Sequence, residues 1–534
     1  MTETARVTPQ DFGLPHTEWR KSQREIGLGL SEKPDGSVIF LSAPTGSGKT
    51  SYAKMLGTLS SVTSLVKTKS LQEHNYGEIY DFDILYGRGN YPCVHPDRAY
   101  PDLNADQCMY ELKMEQCEYA AQCPYLIQKQ IVKASNVRSL NYAYFLTSRW
   151  PRKKEYATEF GVYDECHILP DETLEFVGCT IKDTDRLRWR LPEFPSCYES
   201  SRDSVNLVLT WLEQSIGVLE VTIAQIKGDE PDDKAKKSRA ERLAMKLKFT
   251  CTAIHRSGDD WYVRSGQRAL ENIAERKPGL VIKPLTARFH FPSLFLNVFP
   301  KTIMMSATVG NVEDLAEELG VEKYDYERVP NQWPPESRPV HVLDVPPMGY
   351  SAKDSAKELQ AKKMANVLNE LPQDWSGIIH TTSWKQTAEL KSRLNFFGVS
   401  DHRLFIPTRG QGTNAQMTEW NIAKRPGMIV ITPSMNAGVD LLQERICLIA
   451  KTPFPFCQPG SYEYERMLYS NRFYRWQTAA DLEQRAGRTR RGRPEDYDDS
   501  FNVRGYVGIF DGAFRKMGLA KSCSKDFNES LVYD

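Results

Sequence analysis

Lys49 and Thr50 follow two glycines in the stretch VIFLSAPTGSGKT (residues 38–50), a pattern suited to holding a nucleoside triphosphate. Backbone N–H groups freed by Gly46 and Gly48 can wrap the β-phosphate, and the N-terminus of a following helix adds positive potential. Lys49 is placed to reach the β- and γ-phosphates and Thr50 to ligate Mg²⁺, with Thr45 and Ser47 completing the loop. Ala43 stands where the general pattern has its first glycine. A second group, FGVYDECH (160–167), runs apolar residues into an acidic pair. Asp164 can hold Mg²⁺, directly or through water, and Glu165 can polarise the attacking water. His167, two residues on, is placed to sense the γ-phosphate. A third group, AADLEQRAGRTRRGR (479–493), carries five arginines between 485 and 493. Arg488 and Arg491 stand i and i+3 apart on one helical face, with Gln484 one turn earlier. They can present two guanidinium groups to a γ-phosphate held on another domain. A solvated basic helix is the plainer reading of that stretch.

Four of the eleven cysteines, Cys93, Cys108, Cys117 and Cys123, fall close together in the pattern C-x14-C-x8-C-x5-C. No close C-x2–4-C pair is present, which disfavours a zinc knuckle. The spacing also matches neither common ferredoxin pattern, so spacing alone leaves the metal open. The other seven read as ordinary thiols.

Ordinary elements must position these groups. Val38–Leu41 reads as a strand and SYAKML (51–56) as a helix, and residues 160–164 read as a second strand. Lys49 lies 115 residues before Asp164, and Asp164 lies 142 before Ser306. Gaps of that length exceed ordinary loops and must hold folded insertions. The second contains a helix-like stretch, 205–226, followed by the mixed-charge KGDEPDDKAKKSRAER (227–242), read as a solvated turn and helix. At 534 residues the chain suggests about three to four domains. With 40% hydrophobic and 26% charged residues, it is no collagen, coiled-coil rod or disordered chain. No apolar run approaches 18 residues, so no membrane span is expected. MTETARVTPQ lacks a secretory pattern, so an intracellular, cytoplasmic setting with reduced thiols is expected. Lys plus Arg equals Asp plus Glu at 69 each, so nucleic-acid binding requires a local groove rather than net charge.

Taken in order, these motifs resemble those of superfamily 2 helicases of the iron–sulfur XPD/DinG group. Arg20 and Gln23 in WRKSQRE (19–25) resemble its adenine-reading motif, in which glutamine pairs with adenine. TKSLQ (68–72), with Lys69, resembles motif Ia, and DECH (164–167) motif II. MSATV (305–309), with Ser306, Ala307 and Thr308, resembles motif III, which couples the sites. GIIHTTS (377–383), SMNAGVD (434–440) and QRAGRTRR (484–491) resemble motifs IV, V and VI. Gly438 and Asp440 of motif V fall among the expected ATP contacts. Cys166 and His380 depart from the usual motif residues without removing a proposed catalytic group. LYGRGNYPC (85–93) and CEYAAQCPY (117–125) resemble the two ends of that group's cluster domain.

The resemblance implies an α/β fold of two RecA-like domains. The first would comprise residues 1–87, 134–175 and 281–319. It would be interrupted by a cluster domain (88–133) and a helical arch (176–280). The second would comprise 320–534, with WPPESRPV (333–340) near its start. Also implied are a 4Fe-4S cluster on Cys93, Cys108, Cys117 and Cys123, ATP as substrate with Mg²⁺, and a monomer. Its partners would be single-stranded DNA, traversed 5′→3′, and duplex DNA to unwind. Lys69, Arg88, Tyr91 and Thr382 are the candidate DNA contacts, with Trp384 either a stacking platform or a core residue. An RNA helicase and a P-loop protein-remodelling switch are the alternatives.

Overall fold

The computed structural model describes all residues except 1–6, 45, 97–103, 106–107, 109–110, 149–151, 198–200, 229–230, 267–278, 436–443 and 488–504. In chain order, β1 (Val38–Ser42), β2 (Val62–Val66), β3 (Asp83–Leu85), β4 (Val137–Asn141) and β5 (Phe160–Asp164) come first. Next come β6 (Cys179–Lys182), β7 (Trp261–Gly266) and β8 (Gly279–Pro284), then β9 (Lys301–Ser306) and β10 (Asp325–Arg328). The remaining strands are β11 (Val340–Val342), β12 (Gly377–His380), β13 (Leu404–Phe405), β14 (Ile429–Thr432), β15 (Ile446–Ile449), β16 (Tyr506–Ile509) and β17 (Leu531–Tyr533).

Two seven-stranded sheets result, ordered β10-β1-β9-β5-β2-β4-β3 and β13-β14-β12-β15-β16-β11-β17. Every pairing within them is parallel. Parallel sheets need both faces covered, and their central strands are accordingly apolar throughout. In the first sheet, Phe40, Leu65, Leu140, Tyr163 and Met304 enter one core. Their neighbours Ile39, Leu41, Val62, Val162 and Met305 enter another.

The two expected insertions are both folded. The first returns to the sheet through the helix Pro124–Ala134, where Gln128 Nε2 donates to the carbonyl of Ile84 on β3 at 2.9 Å. The second contains the expected helix, now bounded at Arg202–Gln225, and a longer antiparallel partner, Pro231–Ser257. Helix Arg202–Gln225 is long and apolar enough to cross a membrane by length and composition. Here its Val205, Val208, Trp211, Leu212 and Leu219 are buried in the core.

Two corrections to the sequence reading follow. The second insertion is not purely helical, because β6, β8 and β7 form an antiparallel sheet that continues past 280 to Pro284. The second domain starts later than 320, because β10 pairs with β1 from Ile39↔Asp325 to Ser42↔Arg328. The buried strand β1 needs a neighbour on each side, and the charged segment DYER supplies the edge strand despite lacking an apolar pattern.

Candidate functional site

β1 ends in the phosphate loop, and the helix Lys49–Leu59 starts directly after it. Gly46 and Gly48 turn the backbone at φ of 86° and 83°, a region that L-residues with a Cβ rarely adopt. Space matters too. A Cβ on Gly48 would stand 2.9 Å from Gln23 Nε2 and 3.2 Å from an Arg20 guanidinium nitrogen. Glycine therefore lets Arg20 and Gln23 close over the loop. The Arg20 guanidinium donates to the Gly46 carbonyl, and Arg20 N–H donates to Gln23 Oε1 at 3.1 Å. Gln23 Nε2 and Ser47 Oγ are buried without a protein partner, so both retain hydrogen-bonding capacity for a ligand.

Asp164 closes β5 and is buried, with its oxygens bonded on both sides. Tyr76 Oη donates to Oδ2 at 2.9 Å, and Glu165 N–H donates to Oδ1 at 2.9 Å. Tyr76 comes from a π-helical segment, Gln72–Ile79, directly after Lys69 and Leu71. Tyr142 Oη donates to the Asp164 carbonyl at 2.7 Å. Glu165 itself adopts φ of 54°, unusual for a residue with a Cβ. Its Oε1 stands 3.5 Å from Lys49 Nζ, and its side chain keeps 29% exposure. Ser306, at the end of β9, donates to Glu165 Oε2 at 3.2 Å, and His167 Nδ1 lies 2.9 Å from the same hydroxyl. Thr308 N–H also donates to Ser306 Oγ, and half-buried Ala307 lies between them. Ala43 N–H donates to the Ser306 carbonyl at 2.9 Å, tying the phosphate loop to β9.

The two carboxylates are driven apart. Burial, followed by the adjoining Glu165 charge, pushes Asp164 up to about 6. Burial also opposes the Glu165 charge. Lys49, and after it His167 and Ser306, outweigh that and hold its carboxyl below the usual range. A carboxylate kept ionised beside a half-open phosphate loop can orient water. The hard oxygens of Thr50 and Asp164 suit Mg²⁺, because each Asp164 oxygen retains a lone pair after its hydrogen bond.

The second domain reaches this site through the helix Asn471–Ala486. Trp476 Nε1 donates to the Val309 carbonyl at 2.9 Å, just beyond Ser306 and Thr308. Gln484 is half-buried on the same helix, and Arg485 pairs with Asp481 at 2.9 Å. Thr45, Gly438, Asp440, Arg488 and Arg491 lie outside the described residues.

The four clustered cysteines line one cavity, with His95, Met114 and Tyr119 among its other walls. All four are half-buried and none is in a disulfide. Four soft sulfur donors around one space fit a thiolate-held metal centre. Short 3-10 turns, Glu111–Gln116 and Ala120–Gln122, carry the chain around it.

No family model and no curated protein matches the sequence. Among solved structures, an XPD helicase is similar at 14% identity, covering 97% of this chain and 100% of that one, with a TM-score of 0.55. An apo XPD structure is similar at 15% identity, covering 96% and 100%, with a TM-score of 0.51. The chain has the XPD fold.

Within that XPD fold, three of the four candidate DNA contacts come together beside the cysteine insertion. Lys69 is exposed, its Nζ 4.9 Å from the centre of the Tyr86 ring and 3.4 Å from Glu73. Tyr86 N–H donates to Tyr91 Oη at 3.1 Å, and Arg88 lies in the turn between these tyrosines. Tyr91 in turn packs edge-on against Tyr125. Thr382 stands apart on the second domain, exposed, with its N–H and hydroxyl both donating to Gln386 Oε1. Trp384 opens the helix Trp384–Phe396 and is half-buried. The sequence reading missed Tyr76, Tyr86, Tyr142 and Trp476. Only Tyr86 carried a local signal, the aromatic and basic stretch YGRGNY.

Proposed function

We propose that the chain is an ATP-dependent DNA helicase that moves 5′→3′ on single-stranded DNA and unwinds duplexes, acting as a cytoplasmic monomer. One observation carries this reading. Lys49, Asp164, Glu165, His167 and Ser306 form one bonded network, and a helix of the second domain is bonded just beyond it through Trp476.

Lys49 leaves Glu165 for the phosphates when ATP enters, and Gln23 Nε2 is free to meet the base. Thr50 and Asp164 would hold Mg²⁺, which supplies charge neutralisation at the phosphates when bound. Glu165 then orients water toward the γ-phosphate, while Arg488 and Arg491 are the arginines proposed to approach it from the second domain. Loss of the γ-phosphate changes what Glu165 and His167 contact. Ser306 passes that change along the Ser306–Val309 segment to Trp476 and the second domain. Lys69, Tyr86, Arg88 and Tyr91 on one side and Thr382 on the other are the proposed grips on the strand.

Cys93, Cys108, Cys117 and Cys123 are proposed to hold a 4Fe-4S cluster. A tetrahedral zinc would bring its sulfurs to about 3.8 Å of one another. Among the described residues no three of these sulfurs gather within 4.8 Å. A cluster, which separates its thiolates more widely, suits the cavity better. The residues near 88–133 would then be a cluster domain and those near 176–284 an arch against which a duplex is split. The resemblance of the cysteine segment to the cluster domain of the XPD/DinG group supports DNA over RNA as the track.

The test uses the purified full chain, 5′-tailed and 3′-tailed DNA duplexes and their RNA counterparts, with ATP hydrolysis followed in parallel. Unwinding of the 5′-tailed DNA with strand-stimulated hydrolysis is expected. Activity confined to RNA would replace the track, and hydrolysis indifferent to nucleic acid would favour a protein-remodelling switch.

A further inference from the structure

We infer that His95 donates a hydrogen bond to a sulfur of the metal group held by the four cysteines, and thereby raises its reduction potential. The inference rests on the cluster reading above and concerns this chain's own residue beside that group. His95 lines the same cavity as Cys93, Cys108, Cys117 and Cys123. Its Nδ1 is buried and has no hydrogen-bond partner in the protein. A buried ring nitrogen left unpaired is costly, so its position calls for a partner that the cavity must supply.

The surroundings narrow that partner. Val94, Ala105 and Met114, which also line the cavity, bring apolar side chains to it. The Tyr119 ring meets the imidazole edge-on, with centroids 5.0 Å apart and planes at 68°. That contact fixes the ring but leaves Nδ1 unsatisfied. Among the described lining residues the side-chain acceptors include the Tyr119 hydroxyl and the four cysteine sulfurs. Four sulfurs converging on one metal group, with bridging sulfides in a cluster, are the acceptors we assign to Nδ1. A neutral imidazole carrying its proton on Nδ1 matches them. Pro96 follows directly and restricts the His95 backbone to extended conformations, limiting where the ring can swing.

An N–H directed at a sulfur draws charge away from the metal group. The reduced state carries one more electron and gains more from this than the oxidised state, so the potential rises. His95 is thus a positioning and tuning residue. It is not assigned as a ligand, since the four thiolates already complete the set.

The full chain purified without oxygen, with His95→Ala and His95→Asn alongside, tests this by iron content and a redox titration of the cluster spectrum. The wild type and His95→Ala should both hold about four irons. His95→Ala should reduce roughly tenfold less readily, which for one electron is about 59 mV more negative. Asparagine can place an amide N–H near the Nδ1 position, so His95→Asn should recover most of the shift and full iron. An unchanged potential in His95→Ala overturns the inference. Loss of iron in both variants overturns it in favour of a ligand role. A wild type holding zinc or no iron fails the cluster reading itself, and the inference with it.

Discussion

The nucleotide site and the cysteine pocket are built on opposite plans. At the nucleotide site the described charged groups already have protein partners: Lys49 with Glu165, Asp164 with Tyr76, Glu165 with Ser306. These groups stand at the ends of β1, β5 and β9, three adjacent strands inside a sheet covered on both faces. Among the described residues, the cysteine pocket is enclosed by short turns and by one isolated bridge, Pro92 to Asn104. Few apolar residues support it, chiefly Ala105 and Met114. A sheet can hold charges in place before a ligand arrives. A pocket walled by short turns would depend more on a group held by its thiols.

That contrast can be broken or sharpened by four substitutions. Lys49→Ala should have the largest effect, lowering ATP turnover on the order of 10³-fold by removing the cation that meets the phosphates. Iron content and salt-sensitive binding of single-stranded DNA should stay near wild type. Loss of both together would show that the two regions are not independent. Cys117→Ser comes next, with iron lost and unwinding reduced to background while most DNA-independent hydrolysis survives. Iron assay and strand-displacement kinetics on the same preparation read the two halves of that statement.

Tyr76→Phe keeps the ring but removes the donor that orients Asp164. Residues that orient a metal ligand are worth about 10–100-fold in metal affinity, and because Glu165 N–H still holds the other Asp164 oxygen, the low end, about tenfold, is expected in half-saturating Mg²⁺. A titration of hydrolysis against Mg²⁺ with unchanged midpoint would remove Tyr76 from the site. Ser306→Ala should be mildest. It deletes one hydrogen bond to Glu165, worth about two- to tenfold in turnover. Base pairs unwound per ATP should fall further than hydrolysis does. Equal falls in both would assign Ser306 to chemistry alone.

Much of the nucleotide site was legible because its chemistry is local. Gly46 and Gly48 are demanded by backbone angles within the loop, and Asp164 and Glu165 by their place at a strand end. What escaped was non-local. Tyr76 meets Asp164 across 88 residues of sequence, and nothing about a tyrosine after motif Ia announces that contact. Trp476 reads as an ordinary helix residue until its indole is seen on Val309. The β6-β8-β7 sheet joins Cys179–Lys182 to strands that follow two long helices, so no short-range period could reveal it. β10 was hidden for a different reason. Its four residues are mostly polar and partly exposed, and only the vacancy beside β1 makes them a strand.

The place of β1 in its sheet also dictates an order of events during synthesis. β1 carries the phosphate loop, yet both of its neighbours, β9 and β10, are encoded far downstream, beyond the two insertions. At about 5–20 residues per second, the ribosome needs on the order of tens of seconds to deliver them. Throughout that interval Ile39, Phe40 and Leu41 form an apolar strand with no partner on either side, a segment open to aggregation or to capture by a chaperone. All four cysteines of the pocket emerge well before β9. The pocket proposed to hold a metal group is therefore complete in the nascent chain before a nucleotide site exists, so loading of that group could precede any turnover of ATP.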